Sequence, residues 1–233
     1  MVINSRQSQL LNSIIREYVD TAAPIGSSFL VSKYGFRISP ATVRNEMAVL
    51  EKQGYIYQPH TSAGRVPTEK GYKHFVETLG GERKEELDHN AEKILEQAAE
   101  PTTIYNDAVK NIAKAIAEIS EETILVGFGA RDFYYAGIAN FFRKPEFKNY
   151  EAAVSLAELV DDLDEAMFEI FPMVDKEPKI LIGSENPFGN ECSAVLVSLD
   201  INGKTSVFGI LGLMRMDYER NLAVIRYIKR LFI

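Results

Sequence analysis

The sequence predicts an α+β chain in two parts: residues 1–80, helical and closed by a short β-ribbon, and residues 81–233, with helices on a small antiparallel sheet. Three observations lead there. Apolar residues recur at helical spacing through the N-terminal part and give way to two short extended runs around a polar loop. Gly80–Gly81 followed by ERKEELD breaks the composition. Farther on, an Asn-Gly pair at 202–203 joins two long apolar runs, the strongest short hairpin signal because both residues tolerate positive φ.

Asn4 or Ser5 can cap a helix over 5–21, where Leu10, Leu11, Ile14, Ile15, Tyr18 and Val19 repeat at helical spacing. Ser27 is placed to cap a short helix, SSFLVSKY, that stops at Gly35. Ser39 caps the helix of 39–53; Pro40 falls in its first turn, where a missing N–H costs nothing, and Gly54 closes it. YIYQ (55–58) alternates like an edge strand, HTSAGR is a loop, Val66–Pro67 begins the return, and Thr68 can cap a helix over 68–79.

In the second part, Leu87, Ala91, Ile94, Leu95 and Ala98 share one face of a helix over 84–99, which Pro101 ends. Ile104, Ala108, Val109, Ile112, Ala115, Ile116 and Ile119 repeat the pattern over 103–120. TILVGFG (123–129) reads as a buried strand and 150–171 as an acid-rich helix. KILIG (179–183), SAVLVSL (193–199) and TSVFGILGL (205–213) read as strands, and 217–232 as a final amphipathic helix. The sequence contains no internal repeat.

Net charge is −7, but its distribution is uneven. Residues 1–80 carry nine Lys and Arg against six Asp and Glu, while residues 81–122 carry five against eleven. A basic N-terminal unit on an acidic remainder fits a nucleic-acid reader with a regulatory body. A single cysteine, Cys192, permits no internal disulfide and fits a reducing cytosol. With no apolar signal core at the N-terminus and no apolar run of about twenty residues, the expectation is a cytoplasmic protein with no membrane partner.

The most informative stretch is Arg37–Lys73, RISPATVRNEMAVLEKQGYIYQPHTSAGRVPTEKGYK. A capped helix runs into a short ribbon with a small, polar, basic tip, the order of a winged helix-turn-helix that binds double-stranded DNA. Val43, Met47 and Leu50 share one helix face; Ala41, Thr42, Asn45, Ala48, Val49 and Lys52 lie opposite, with Arg44 on the flank. Asn pairs bidentately with adenine, Arg with guanine, and a small apolar group meets a thymine methyl. N-terminal residues of such a helix touch bases, which puts Thr42, Arg44 and Asn45 first, with Ser39, Ala41 and Lys52 beside them. At the tip, His60, Thr61, Ser62 and Arg65 suit phosphate or minor-groove contact. Lys70 and Lys73 add backbone contacts or are plain helix-surface charges, and capping alone explains Ser27 and Ser28. An ordinary amphipathic surface helix with a solvated loop gives the same pattern.

No enzyme signature stands beside this. His60, His74 and His89 are far apart, and Cys192 has no metal-ligand neighbour in sequence, so neither metal nor cofactor is expected. Gly127-Phe128-Gly129 follows a strand, but Asp132 occupies the position where a dinucleotide fingerprint requires glycine. The acidic cluster Asp161, Asp162, Asp164 and Glu165 reads as a solvated helix face.

The runs PIGSSFLVSKYG, SPATVRNEMAVLEKQGYI, QPHTSAGRVPTEKGY, ANFFRKPEF, IGSENP and MRMDYERNLAVIRYI resemble the heat-inducible transcription repressor family, HrcA. The resemblance implies a dimeric repressor of groE and dnaK chaperone operons that occupies an inverted-repeat operator, CIRCE. It also implies coupling to a GroEL-type chaperonin, relief of repression on heat shock, and a GAF-like second domain with an inserted dimerising segment. Members of that family run longer; here TILVGFGARDFYYAGIANFF passes quickly to the ANFFRKPEF block, and the insert is missing. That leaves the DNA-binding assignment intact and moves the expected homodimer interface to helices 84–99 and 103–120, whose alternative is packing within the chain. The competing reading is a metabolite-responsive winged-helix repressor with a ligand in its second domain.

Overall fold

The computed structural model describes residues 3–79, 86–100, 102, 104–129, 132–148 and 150–232, without the side chains of 148, 150–153, 155 and 156. The chain divides into two compact units, Met1–Arg83 and Lys84–Ile233. The expected boundary at Gly80–Gly81 lies outside the described residues.

The N-terminal unit is built on α1 (Ser5–Thr21), α2 (Ser27–Tyr34) and α3 (Pro40–Lys52). Asn4 caps α1 in a reciprocal box: its side chain accepts from the Gln7 amide at 2.9 Å, and the Gln7 side chain accepts from the Asn4 amide at 3.1 Å. Ser27 is not the cap of α2. Gly26 holds that position in an extended conformation with no side chain to offer, and Ser27 falls in the first turn. Two short strands follow, β1 (Ile56–Tyr57) and β2 (Val66–Pro67), paired antiparallel. The ribbon is shorter than YIYQ suggested because Gln58 leaves the ladder to hold the loop, and Pro59 has no N–H to give it. Then α4 (Glu69–Leu79) returns, its Thr68 hydroxyl accepting from the Gly71 amide at 3.2 Å. Leu10, Leu11, Ile14 and Ile15 of α1 meet Leu30, Val43, Leu50, Ile56 and Phe75 in a sealed core. Each such side chain contributes about 1.5–3 kcal/mol.

The second unit opens with α5 (His89–Ala98) and α6 (Tyr105–Ser120). The first is shorter than 84–99 because the Asp88 carboxylate accepts from the Ala91 amide at 2.9 Å and starts the helix there; residues 84 and 85 lie outside the described residues. The second begins after Ile104; Pro101 and Thr103 are likewise outside them. Strand β3 (Thr123–Gly129) forms as expected and turns into β4 (Asp132–Ala136), a strand that the sequence did not announce. After α7 (Ala139–Arg143), the predicted 150–171 helix is two: α8 (Tyr150–Asp161) and α9 (Leu163–Ile170). The break is at Asp162, with φ −94° and ψ 3°. Strands β5 (Lys179–Ile182), β6 (Cys192–Ile201) and β7 (Lys204–Leu213) precede the closing helix α10 (Tyr218–Leu231), capped by Asp217.

All five strands are antiparallel, in the order β4-β3-β7-β6-β5. The β6–β7 turn is the Asn202-Gly203 pair, with φ 50° and 76°. Alternation sends Leu125, Leu196 and Leu211 to one face, where Phe141, Leu163, Met167 and Ile170 cover them. The other face packs under α6 and α10, whose Ile112, Ile116, Ile225 and Ile228 are sealed. Ala91 and Leu95 of α5 are buried, and that helix packs on α6 and α10. The apolar faces of both helices are therefore used within the unit. Among the described residues, no helix is long and apolar enough to cross a membrane.

One buried carboxylate pins the sheet to its connections. Glu122 is 3 % exposed, its Oε1 2.8 Å from the Lys144 ammonium, and its backbone carbonyl accepts from Asn140 at 2.9 Å. A Cβ at Gly212 would sit 2.5 Å from Glu122 Oε2, so a side chain there would have to push the carboxylate aside. Burial raises the Glu122 carboxyl to about 7 despite Lys144. The folded chain therefore holds this proton more tightly than the unfolded chain does. Stability from the neutral form is present at low pH and is lost as pH rises from the ordinary carboxylate range to about 7, by roughly 3 kcal/mol. Urea midpoints between pH 5 and 8 should fall for the native chain and stay flatter for Glu122→Gln. Parallel curves would show that this carboxyl does not titrate with folding.

Candidate nucleic-acid interface

Helix α3 presents the face that the sequence assigned outward. Val43, Met47 and Leu50 are buried, while Ala41, Arg44, Asn45, Ala48, Val49 and Lys52 are exposed. Ser39 caps the helix, accepting from the Thr42 amide at 3.1 Å, and its hydroxyl lies 3.0 Å from the Thr42 hydroxyl. Both hydroxyls are thus occupied in starting the helix. Glu46, one of the two acids on this helix, is drawn back onto α1 by Arg6 and by the Gln7 amide at 2.9 Å. The Gln7 hydrogen bond, with Arg6, holds its carboxyl below the ordinary value. The paired charge therefore offers little repulsion to a polyanion. Arg44, Asn45 and Lys52 make no hydrogen bond or ion pair with another described side chain.

The loop after β1 is rigidly built. Gln58 donates through Nε2 to the carbonyls of Thr61 and Ala63, at 2.9 and 2.8 Å, and the Ala63 amide donates to His60 at 2.8 Å. His60, Thr61 and Ser62 stand exposed at its tip. Its far end is joined to the start of α2 by two backbone hydrogen bonds between Ile25 and Arg65, each 2.9 Å. Gly64 permits that approach, since a Cβ there would sit 2.4 Å from the Ile25 carbonyl.

The other predicted basic residues are committed within the fold. Arg65 is paired with Glu51 through two nitrogens, at 3.1 and 2.9 Å, and its side chain is 14 % exposed. It is a strut under the loop rather than a free charge at its tip. Lys70 donates to the Gln53 carbonyl at 2.7 Å and sits 4.3 Å from the Tyr55 ring centre, tying α4 to the end of α3. Lys73 pairs with Glu69 at 2.8 Å. Lys33 is held by the buried Glu17 at 2.5 Å.

Between α2, α3 and the loop lies a polar notch of about 550 Å³, lined by Ser27, Ser28, Arg44, Gln58, Thr61 and Ser62 among others. Sequence reasoning discounted the two serines as caps. The available signal was Gly26, which takes the cap position without a side chain to offer and frees both serines from it.

The HrcA C-terminal domain model ("HrcA protein C terminal domain") matches residues 69–222. The chain belongs to the HrcA family. Its similar curated relatives are named heat-inducible transcription repressor HrcA. That of Desulforudis audaxviator is 44% identical over 116 residues, 50% of this chain and 31% of the relative. That of Caldanaerobacter subterraneus subsp. tengcongensis is 43% identical over 124 residues, 53% of this chain and 35% of the relative. The match thus spans about a third of the length of these relatives. A crystal structure of a hypothetical protein shares the fold, with a TM-score of 0.80 and 18% identity over 99% of both chains.

Replacing Gly64 with alanine should cost about 1–3 kcal/mol, because the added carbon runs into the Ile25 backbone. Hydrogen exchange at the Ile25 and Arg65 amides should accelerate in the same variant. Unchanged urea midpoints and unchanged exchange would contradict the close approach.

Proposed function

We propose that this chain is a transcriptional repressor of heat-shock chaperone operons of the groE and dnaK type. In this reading the N-terminal unit is a winged helix-turn-helix. Helix α3 enters the major groove, and the 58–65 loop, the wing, lies against the flanking backbone. The second unit is a GAF-like regulatory and dimerisation domain. An inverted-repeat operator of the CIRCE type fits a two-fold dimer, and a GroEL-type chaperonin is the partner that couples repression to heat shock. One observation carries the reading: α3 holds Asn45 and Arg44 outward and uncommitted beside a loop already fixed in place, while its two acids, Glu46 and Glu51, are paired away. Membership of a family whose relatives are named repressors supports the target.

Selection from a random-sequence duplex pool tests this. The recovered sites should share an inverted repeat. Asn45→Ala should lose about 1–3 kcal/mol on the recovered site and relax preference at one base pair in each half. Recovery of unrelated sequences, or no retention of any duplex, would refute it.

A second reading is favoured by a cavity of about 480 Å³ in the second unit, lined by Phe147, Leu159, Phe188 and Leu213 with the carboxylates of Glu146, Asp162 and Glu191. An apolar space with a few polar groups suits a small metabolite that modulates repression. Scanning fluorimetry against a metabolite panel separates the two: a reproducible shift from one compound supports the ligand, and none removes it.

A further inference from the structure

The notch beside α3 has the features of an oxyanion seat. Helix α2 begins at Gly26, which supplies no capping side chain, so the amides of its first turn lack a partner. The positive end of the helix dipole lies there as well. Ser27 lines the notch, is 8 % exposed, and its hydroxyl bonds to no described residue. That hydroxyl is left as a hydrogen-bond donor for a group that enters the notch. The far wall carries the Arg44 guanidinium, which has no counter-ion among the described residues, and no acidic residue lines the space. The other lining cation, Arg65, is already neutralised by Glu51. Ser62 and Thr61 close the third side on a loop that Gln58 holds still.

We infer that this notch seats one backbone phosphate of a bound duplex, with Arg44 as its cation and the start of α2 as its donor cradle. The inference rests on the DNA-binding reading of this unit and changes one assignment within it. Arg44 positions α3 over the bases instead of reading a guanine, and base reading falls to its neighbour Asn45. The volume leaves room for the phosphate together with its sugar.

The experiment uses the full chain, the duplex recovered by selection, and an unrelated duplex of equal length. Ser28→Glu places a carboxylate in the first turn of α2, where the helix tolerates it, and fills the notch with negative charge. Arg44→Gln removes the cation. With thermal unfolding unchanged, each variant should bind both duplexes about tenfold or more weakly, and Arg44→Gln should lower the salt slope by about 0.9, one phosphate's worth. Methylphosphonate scanning should find one phosphate per half-site whose neutralisation weakens the native chain but not Arg44→Gln. Amide resonances of Ser27 and Ser28 should shift with duplex and stay still with millimolar inorganic phosphate. Shifts at submillimolar inorganic phosphate would make this a free-anion site and overturn the assignment. An Arg44→Gln loss confined to one base pair's identity would overturn it too, leaving DNA binding intact. If the native chain retains no duplex at all, the DNA-binding reading itself falls, and this inference with it.

Discussion

The closeness of two backbone segments, Ile25 and Gly64–Arg65, governs the N-terminal unit. Two hydrogen bonds join them, and the absence of a side chain at Gly64 is what lets them form. Everything on the outer face follows from that contact. It brings the uncapped start of α2 against the loop, sets the loop beside α3, and brings Arg65 within reach of Glu51. A loop that would otherwise lose considerable chain entropy on ordering is already ordered. Gln58 completes the arrangement from inside the turn by satisfying carbonyls that the short ribbon leaves open.

The second unit depends on a different economy. Among the described residues, helices lie on both faces of its sheet, and α5 and α6 bury Leu95, Ile112 and Ile116 within the unit. The blocks by which the sequence resembles the family meet around this sheet as joints. Asn140 and Lys144 of ANFFRKPEF close on Glu122. Arg215 of MRMDYERN pairs with Glu146 at 2.8 Å, and Tyr218 hydrogen-bonds Ser193 at 2.7 Å beneath the last helix. Cys192 is buried on the same sheet, and burial pushes its thiol up to about 12, far from a reactive thiolate. These motifs therefore have structural work that accounts for them without any catalytic role.

Charge is handled differently in the two units. Around α3 each acid is turned inward: Glu46 to α1, Glu51 to Arg65. That leaves Arg44 and Lys52 uncompensated on the exposed side, which the net charge of −7 conceals. In the second unit, the buried Glu122 instead carries the cost of desolvation, softened by one lysine.

Local patterning determined most of the secondary structure. Caps at Asn4, Ser39 and Asp217, the Asn202-Gly203 turn and the helical stripes of α1, α3, α6 and α10 are all readable from neighbours in sequence, because caps, turns and stripes are short-range physics. What depended on partners far along the chain was not readable. Strand β4 exists because β3 offers it an edge, although its own residues are half exposed. The helix over 150–171 breaks at Asp162, though its composition favours continuity. At the candidate interface, the sequence named the outward residues of α3 by periodicity alone. Only the tertiary structure decided which basic residues are spent on Glu51, Gln53 and Glu69 and which remain free, and that two serines opposite Arg44 form a notch. A side chain's availability depends on what the fold places beside it, and spacing along one helix cannot report that.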